Sequence, residues 1–297
     1  AAPQPGALRL RFAGVSSLVF DDGETAWMTD GFFSRPPLSA LLLPIAPDAQ
    51  RIAAERQALG LTRLAAVIPL HSHYDHAMDA PELARQTGAL LLGSASTLNI
   101  GRGAGLAESA MREVKPGDSL QLGRFKLTFI AGRHSPTPWS DGISREEVEA
   151  PLQAPALASA WREGQVFSLL VEHGGRRILV QASAGFVPGA LSGLRADVLL
   201  LGVGTLGKKD PAYRERYWAE TVRAVGARRV IPIHWDDFWL PLPSPSSGDS
   251  LQAMPALFDD FALTMGELQS QADREGRELR LPPLRSPFDP FPGTTQP

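Results

Sequence analysis

Residues 61–82 read Leu-Thr-Arg-Leu-Ala-Ala-Val-Ile-Pro-Leu-His-Ser-His-Tyr-Asp-His-Ala-Met-Asp-Ala-Pro-Glu, placing three histidines and one aspartate within six positions directly after an apolar run. Leu64 to Leu70 is short, apolar and partly β-branched, which predicts a buried strand, whereas Asp79, Pro81 and Glu82 have the character of a helix start. The histidines therefore fall on a strand-to-helix loop. In extended chain His71 and His73 project to the same side and reach one cation, while Asp75 and His76, where the chain turns, face elsewhere. This spacing suits two adjacent metals, one taking His71 and His73 and the other Asp75 and His76, and imidazole donors favour zinc-like ions. Half of the six histidines in the chain lie in this cluster, which argues against reading them as scattered solvated residues.

Composition limits what such a site serves. With 297 residues, 43% of them hydrophobic, the chain can bury a full core. Net charge is −3 and the basic pairs Arg176-Arg177, Lys208-Lys209 and Arg228-Arg229 are scattered. No concentrated basic face suggests nucleic acid. Cysteine is absent, which excludes disulfides, thiolate ligands and a cysteine nucleophile. No apolar run reaches the length of a membrane span. The opening Ala-Ala-Pro-Gln-Pro-Gly resembles what cleavage at an Ala-x-Ala site leaves, pointing to a periplasmic or secreted protein, with a trimmed cytoplasmic chain as the alternative.

Outward from the histidine loop, strands and helices alternate. Residues 8–13, 16–20 and 25–28 predict a strand meander ending at Asp30, and residues 48–59 a helix leading into the 64–70 strand. Residues 94–110 are too bland to place beyond a short helix opening at Ser94. Ser119–Leu122 and Phe125–Ala131 predict a hairpin, as do Val166–Glu172 and Arg177–Gln181, with His173 exposed in the second turn. Between the hairpins, residues 135–165 hold four prolines with Trp139 and Trp161, and a helical turn at Ser144–Glu147 is plausible from its capping-box pattern. We read this long connection as a lid or wall, the alternative being a solvated insertion. Strands at 197–201 and 229–233 flank a helix from Asp210 to Gly226, and a helix over 256–272 precedes a Pro-rich tail, 281–297, packed on the surface or disordered. The domain expected is 1–280, in halves of about 8–118 and 119–275.

The run His71, Ser72, His73, Tyr74, Asp75, His76 matches throughout the H-x-H-x-D-H signature of the metallo-β-lactamase superfamily, which it resembles. That resemblance implies an α/β fold, a four-layer αββα sandwich with metals at the edge between two sheets. It also implies that His134 and His234, each following a strand, complete two donor sets: His71, His73 and His134 for one Zn²⁺, and Asp75, His76 and His234 for a second, with a single zinc as the alternative. Asp30 stands where members carry an aspartate supporting the metal loop, although a turn or cap role fits equally. Ser183 stands nearest the place of the aspartate that bridges both metals. Losing that bridge predicts a weaker second metal, yet one subclass of zinc β-lactamases has the same donor sets. Phe12-Ala-Gly-Val-Ser-Ser-Leu-Val-Phe and Thr29-Asp30 are similar to the ascorbate-phosphate lactonase-like branch.

The expected function is a zinc-dependent hydrolase that directs metal-activated water, with Asp75 accepting its proton, at a small-molecule ester, lactone or amide. The alternatives are a zinc β-lactamase and a metal-holding binding protein without catalysis. Trp139, Phe186, Trp235 and Phe238 are the expected substrate-binding residues, with ordinary packing as the competing account of the aromatics. The sequence leaves the oligomeric state open.

Overall fold

Six short strands form a first sheet in chain order: β1 (Arg9–Phe12), β2 (Leu18–Asp21), β3 (Ala26–Thr29), β4 (Ala66–Ile68), β5 (Leu90–Gly93) and β6 (Met111–Glu113). Seven form a second: β7 (Ser119–Leu122), β8 (Phe125–Ala131), β9 (Phe167–His173), β10 (Arg176–Gln181), β11 (Val198–Gly202), β12 (Arg229–Ile233) and β13 (Glu278–Leu279). The computed structural model describes residues 6–136, 146–248, 250–291 and 293. Each sheet passes from an antiparallel meander into a parallel run, at β3 in the first and at β10 in the second.

The apolar alternation along the strands explains the layering. Leu18, Phe20, Ala66 and Ile68 face the main core shared with the second sheet, while Val19, Val67 and Leu91 face the opposite side, as the two-residue period of a strand requires. On that outer side lie α1 (Ala49–Ala58), α3 (Ala80–Thr87) and α4 (Ala95–Gly103), contributing Ile52, Leu83 and Leu98. The one-turn α2 (Tyr74–Ala77) precedes α3. Against the second sheet pack Tyr217 and Trp218 of α5 (Pro211–Trp218) and Leu268 and Ala272 of α6 (Phe261–Glu275). The result is the expected αββα order. Stacked Phe20 and Trp27, 4.2 Å apart, with Phe125 edge-on at 5.9 Å, join the sheets.

Local chemistry sets the boundaries. Asp48 accepts from Gln50 N and Arg51 N to cap α1, Ser94 from Thr97 N to cap α4, and Asp260 from Leu263 N to cap α6. The last helix therefore runs from 261 to 275 and not from 256, because Pro255 starts a turn that ends at the Asp260 cap. The capping-box expectation falls partly on 144–145, outside the described residues; Glu146 to Ala150 form no helix. Tail residues Leu284 and Phe288 bridge to β1, and Arg229 donates to the Pro290 carbonyl.

His173 departs from expectation. It is buried at the end of β9, tilted against Phe125 at 4.5 Å, with Nε2 3.0 Å from Asp22. Asp22 is itself buried and accepts from Thr25 N, Glu24 N and Arg124 Nε, which ties the β2–β3 turn to both hairpins of the second sheet. Burial works against its charge, but the donors from Thr25, His173, Glu24 and Arg124 outweigh it and hold the carboxyl below its ordinary value. Asp22→Ala is expected to lower stability by about 2–3 kcal/mol in urea unfolding at pH 7. A carboxyl depressed in the folded state contributes above its unfolded pKa, so the gap from wild type should narrow as pH falls below about 4.

Candidate metal centre

The centre is built where strands stop. β3 runs into Asp30, β4 into Pro69-Leu70-His71, β8 into Gly132-Arg133-His134, β10 into Ala182-Ser183, and β12 into His234. These carboxyl-terminal strand ends meet at one edge of the sandwich, as the Ser16 Oγ to Ala182 carbonyl hydrogen bond records. Binding groups in parallel α/β architectures collect at such ends. α2 then turns Asp75 and His76 back inward, so the histidine loop presents two faces.

Two donor sets result: His71, His73 and His134, and Asp75, His76 and His234, the ligand atoms in each lying within 4.8 Å of one another. His71 Nε2 and His73 Nδ1 are 3.1 Å apart. In the other set, His76 Nε2 and His234 Nε2 are 3.2 Å apart, and Asp75 Oδ2 is 3.5 and 3.3 Å from them. The sets adjoin, with the His71 and His76 ring centroids 3.8 Å apart.

Hydrogen bonds behind the rings fix two tautomers. His134 Nδ1 donates to the Ser135 carbonyl and His76 Nδ1 to Asp30 Oδ2, at 2.8 and 2.7 Å, leaving each Nε2 with a lone pair toward the centre. Burial, then the neighbouring imidazoles, push His71 and His134 well below the ordinary histidine value; burial pushes His73 to about 4. These rings are therefore neutral near pH 7. Burial raises Asp30 and opposes a charge on His76, but the Asp30 and Asp75 carboxylates outweigh burial and lift His76, so its Nε2 takes up a proton more readily than a free imidazole and a bound cation displaces that proton. Asp75 is held below the carboxylate range: burial opposes its charge, and His76 and His234 outweigh burial. Converging nitrogen lone pairs with one ionised carboxylate fit a borderline cation of the zinc class.

The segment 30–35 braces this arrangement. Asp30 Oδ1 accepts from Leu70 N, just before His71. Buried Asp79 accepts from Phe33 N, Ser34 N and Ser34 Oγ. Arg35, 1% exposed, reaches the fully buried Asp236 at 2.5 Å. Asp236 Oδ1 in turn accepts from Val15 N, whose own carbonyl accepts from His234 N, each at 2.7 Å. His234 has a φ of 59°, in the left-handed region, and a Cβ on Gly204 would lie 2.9 Å from its Nδ1. Only glycine at 204 leaves room for that ring.

Of the residues singled out from sequence, the six ligand candidates come together and Asp30 lies directly behind His76. Ser183 Oγ accepts from Ser135 N at 2.9 Å, so it anchors the residue after His134. Phe238 packs edge-on to His234 at 5.6 Å. Trp235 instead packs on Phe261 in the main core, because successive residues leaving β12 alternate in direction and His234 takes the inward one. Phe186 packs against Tyr213 and Tyr217 on the α5 side, under Arg216. Trp139 lies outside the described residues. Sequence reasoning missed Arg35, Asp79 and Asp236: a charge between apolar neighbours, as in Phe-Ser-Arg-Pro-Pro at 33–37, was the available signal.

A family model described as a beta-lactamase superfamily domain matches residues 45–235. Among curated proteins, the chain is similar to a UPF0173 metal-dependent hydrolase of Heliobacterium modesticaldum, 24% identical over 78% of this chain and 84% of that one. It is also similar to one of Myxococcus xanthus, 25% identical over 82% and 81%. Solved structures share the fold at low identity. Igni18, a metallo hydrolase from Ignicoccus hospitalis, superposes with a TM-score of 0.56 at 14% identity over 96% of each chain. YhfI of Bacillus subtilis, a metallo-beta-lactamase fold protein, gives 0.55 at 14% over 95% and 98%. An isothiocyanate hydrolase from Delia radicum gut bacteria gives 0.53 at 13% over 95% and 97%.

Arg35→Met leaves Asp236 buried without its counter-charge. We expect a loss of about 3–5 kcal/mol in urea unfolding, with Arg35→Lys retaining part of it. Asp30→Asn, which keeps the shape but weakens the acceptor behind His76, is expected to reduce zinc affinity about 10–100-fold in a competition titration with a chromogenic chelator.

Proposed function

Because the chain belongs to the beta-lactamase superfamily, we propose that it is a metal-dependent hydrolase of a small-molecule ester, lactone or amide. The observation that carries this reading is the pair of adjoining three-donor sets; the name metal-dependent hydrolase borne by its curated relatives agrees with it. In this proposal His71, His73 and His134 hold one zinc ion and Asp75, His76 and His234 a second. Zinc in such a site supplies Lewis acidity, which polarises an acyl oxygen and lowers the pKa of water to about 7.

The remaining work belongs to the chain. Asp75 is ionised and faces both His76 and His234, so it orients a water molecule and takes its proton. The Asp30 carboxylate keeps His76 from rotating and keeps its proton on Nδ1. Phe238 and the Tyr74 ring, 6.4 Å apart beside the donors, exclude bulk water on one side. Ser183 takes no donor role in this proposal. Its hydroxyl holds Ser135, and through it the turn that carries His134.

Elemental analysis of protein purified without added metal or chelator tests the reading first. Two zinc ions per chain are expected, and His134→Ala should lose one of them. No metal, even after zinc is supplied, would remove the hydrolase proposal. With the metal present, Asp75→Asn should lower kcat on a responsive ester or lactone by about 10²- to 10⁴-fold. Undiminished turnover in that variant would mean that another group moves the proton.

A further inference from the structure

Eight large apolar side chains are exposed among the described residues, and six of them are Leu38, Leu42, Leu43, Leu157, Leu240 and Leu257. All six interrupt or flank segments packed into the smallest of the three apolar clusters, built from Val15, Phe32, Ile45, Trp161, Phe238 and Met254 among others. The other two, Leu263 and Leu281, each 39% exposed, stand beside the much larger main core. Leu42 is 87% exposed and Leu257 80%, which is unusual for leucines beside an already formed cluster.

The segments concerned are also uncharged. Residues 36–47, 150–161, 238–248 and 250–258 contain no Asp, Glu, Lys, Arg or His. The first two are joined by the Ile45–Ala156 bridge and the last two by Trp239 against Phe258 at 4.6 Å. An apolar path leads from the last two to the metal donors. Phe238 lies 5.6 Å from His234 and 4.6 Å from Trp239, and Phe258 follows Leu257. Trp239 Nε1 donates to Tyr74 Oη, so the same aromatics touch the histidine loop itself.

Continuity with the donors points to the molecule being hydrolysed as the occupant. Resting on the hydrolase reading, we propose that the substrate bears an unbranched acyl or alkyl chain. The chain lies across these exposed leucines, with the scissile carbonyl at the donors. Water cleaves the acyl bond, giving a carboxylic acid and an alcohol or amine, and no other reactant is needed.

The test uses the full chain supplied with zinc. Butanoate, octanoate and dodecanoate, kept below their micelle concentrations, are titrated calorimetrically, and kcat/KM is measured on p-nitrophenyl esters of the same acids. A fully buried methylene is worth about fourfold, so even partial contact should tighten binding about tenfold or more from butanoate to dodecanoate. Leu42→Asp combined with Leu257→Asp should flatten that rise while zinc content and urea midpoint stay at wild-type values. Equal affinity for the three carboxylates, or a rise that the double variant retains, would overturn the proposal. So would a wild-type dimer that the double variant dissociates, since that assigns the face to a second copy. Chain-length-dependent binding without turnover of any ester would leave the face standing and remove the hydrolase reading. Turnover with no chain-length dependence would do the reverse.

Discussion

The Asp30 carboxylate is the contact on which the histidine loop depends. One oxygen accepts from Leu70 N at 2.9 Å and the other from His76 Nδ1 at 2.7 Å. It therefore fixes both the point where β4 releases the chain and the ring that the following turn presents. His71 and His73 lie between these two anchors, so their spacing is set from outside the loop. A buried carboxylate is costly unless each lone pair finds a donor, and this one has been placed where the donors are the parts that must not move. Asp30 reaches this position with a φ of 54°, a strained conformation for a residue with a side chain.

The same strain recurs around the centre and is held by the same kind of contact. Val15, Arg35 and His234 also lie at positive φ, at 50°, 43° and 59°. Val15 is the most costly of these, because a β-branched side chain in the left-handed region clashes with its own backbone, at about 1–3 kcal/mol. Its amide is satisfied by Asp236 and its carbonyl by His234 N. Gly14 permits the approach of Arg35, since a Cβ there would fall 2.0 Å from Nη2. The buried Arg35–Asp236 pair gains little net stability from its own attraction after desolvation. Its consequence is geometric: three loops, at 14–15, 30–35 and 234–237, share one arrangement, and His234 inherits it.

Much of this was legible in the sequence, for identifiable reasons. The strands were readable because Leu18–Phe20 and Ala66–Ile68 alternate between two apolar layers, and helix starts because Asp48, Ser94 and Asp210 cap them. The six ligand candidates were readable because their order follows a signature and each of His71, His134 and His234 follows a strand. What stayed hidden depends on contacts between distant residues. The Arg35–Asp236 pair spans 201 positions, and the apolar setting of Arg35 marks it for burial without naming its partner. His173 looked like a turn residue because the glycines 174 and 175 follow it, yet Asp22, 151 positions earlier, draws it inward. Trp235 and Phe238 read alike in sequence. The register leaving β12 sends Trp235 to the main core and Phe238 to the donors.

The centre lies where the main core meets the smaller aromatic cluster, and this placement gives the donors their chemical state. In water an imidazole is partly protonated near neutrality, and a proton on the donor nitrogen competes with any cation. Here burial and the crowding of five rings drive His71, His73 and His134 below that range, so their lone pairs are available without deprotonation at pH 7. His76 goes the other way because Asp30 and Asp75 flank it: its Nδ1 proton is fixed on Asp30, and a cation at Nε2 competes there with a second proton. A polar site built in apolar surroundings thus gains both properties from one cause. Low polarity keeps the unpaired rings neutral, and it strengthens the few carboxylate contacts that decide which nitrogen each ring offers.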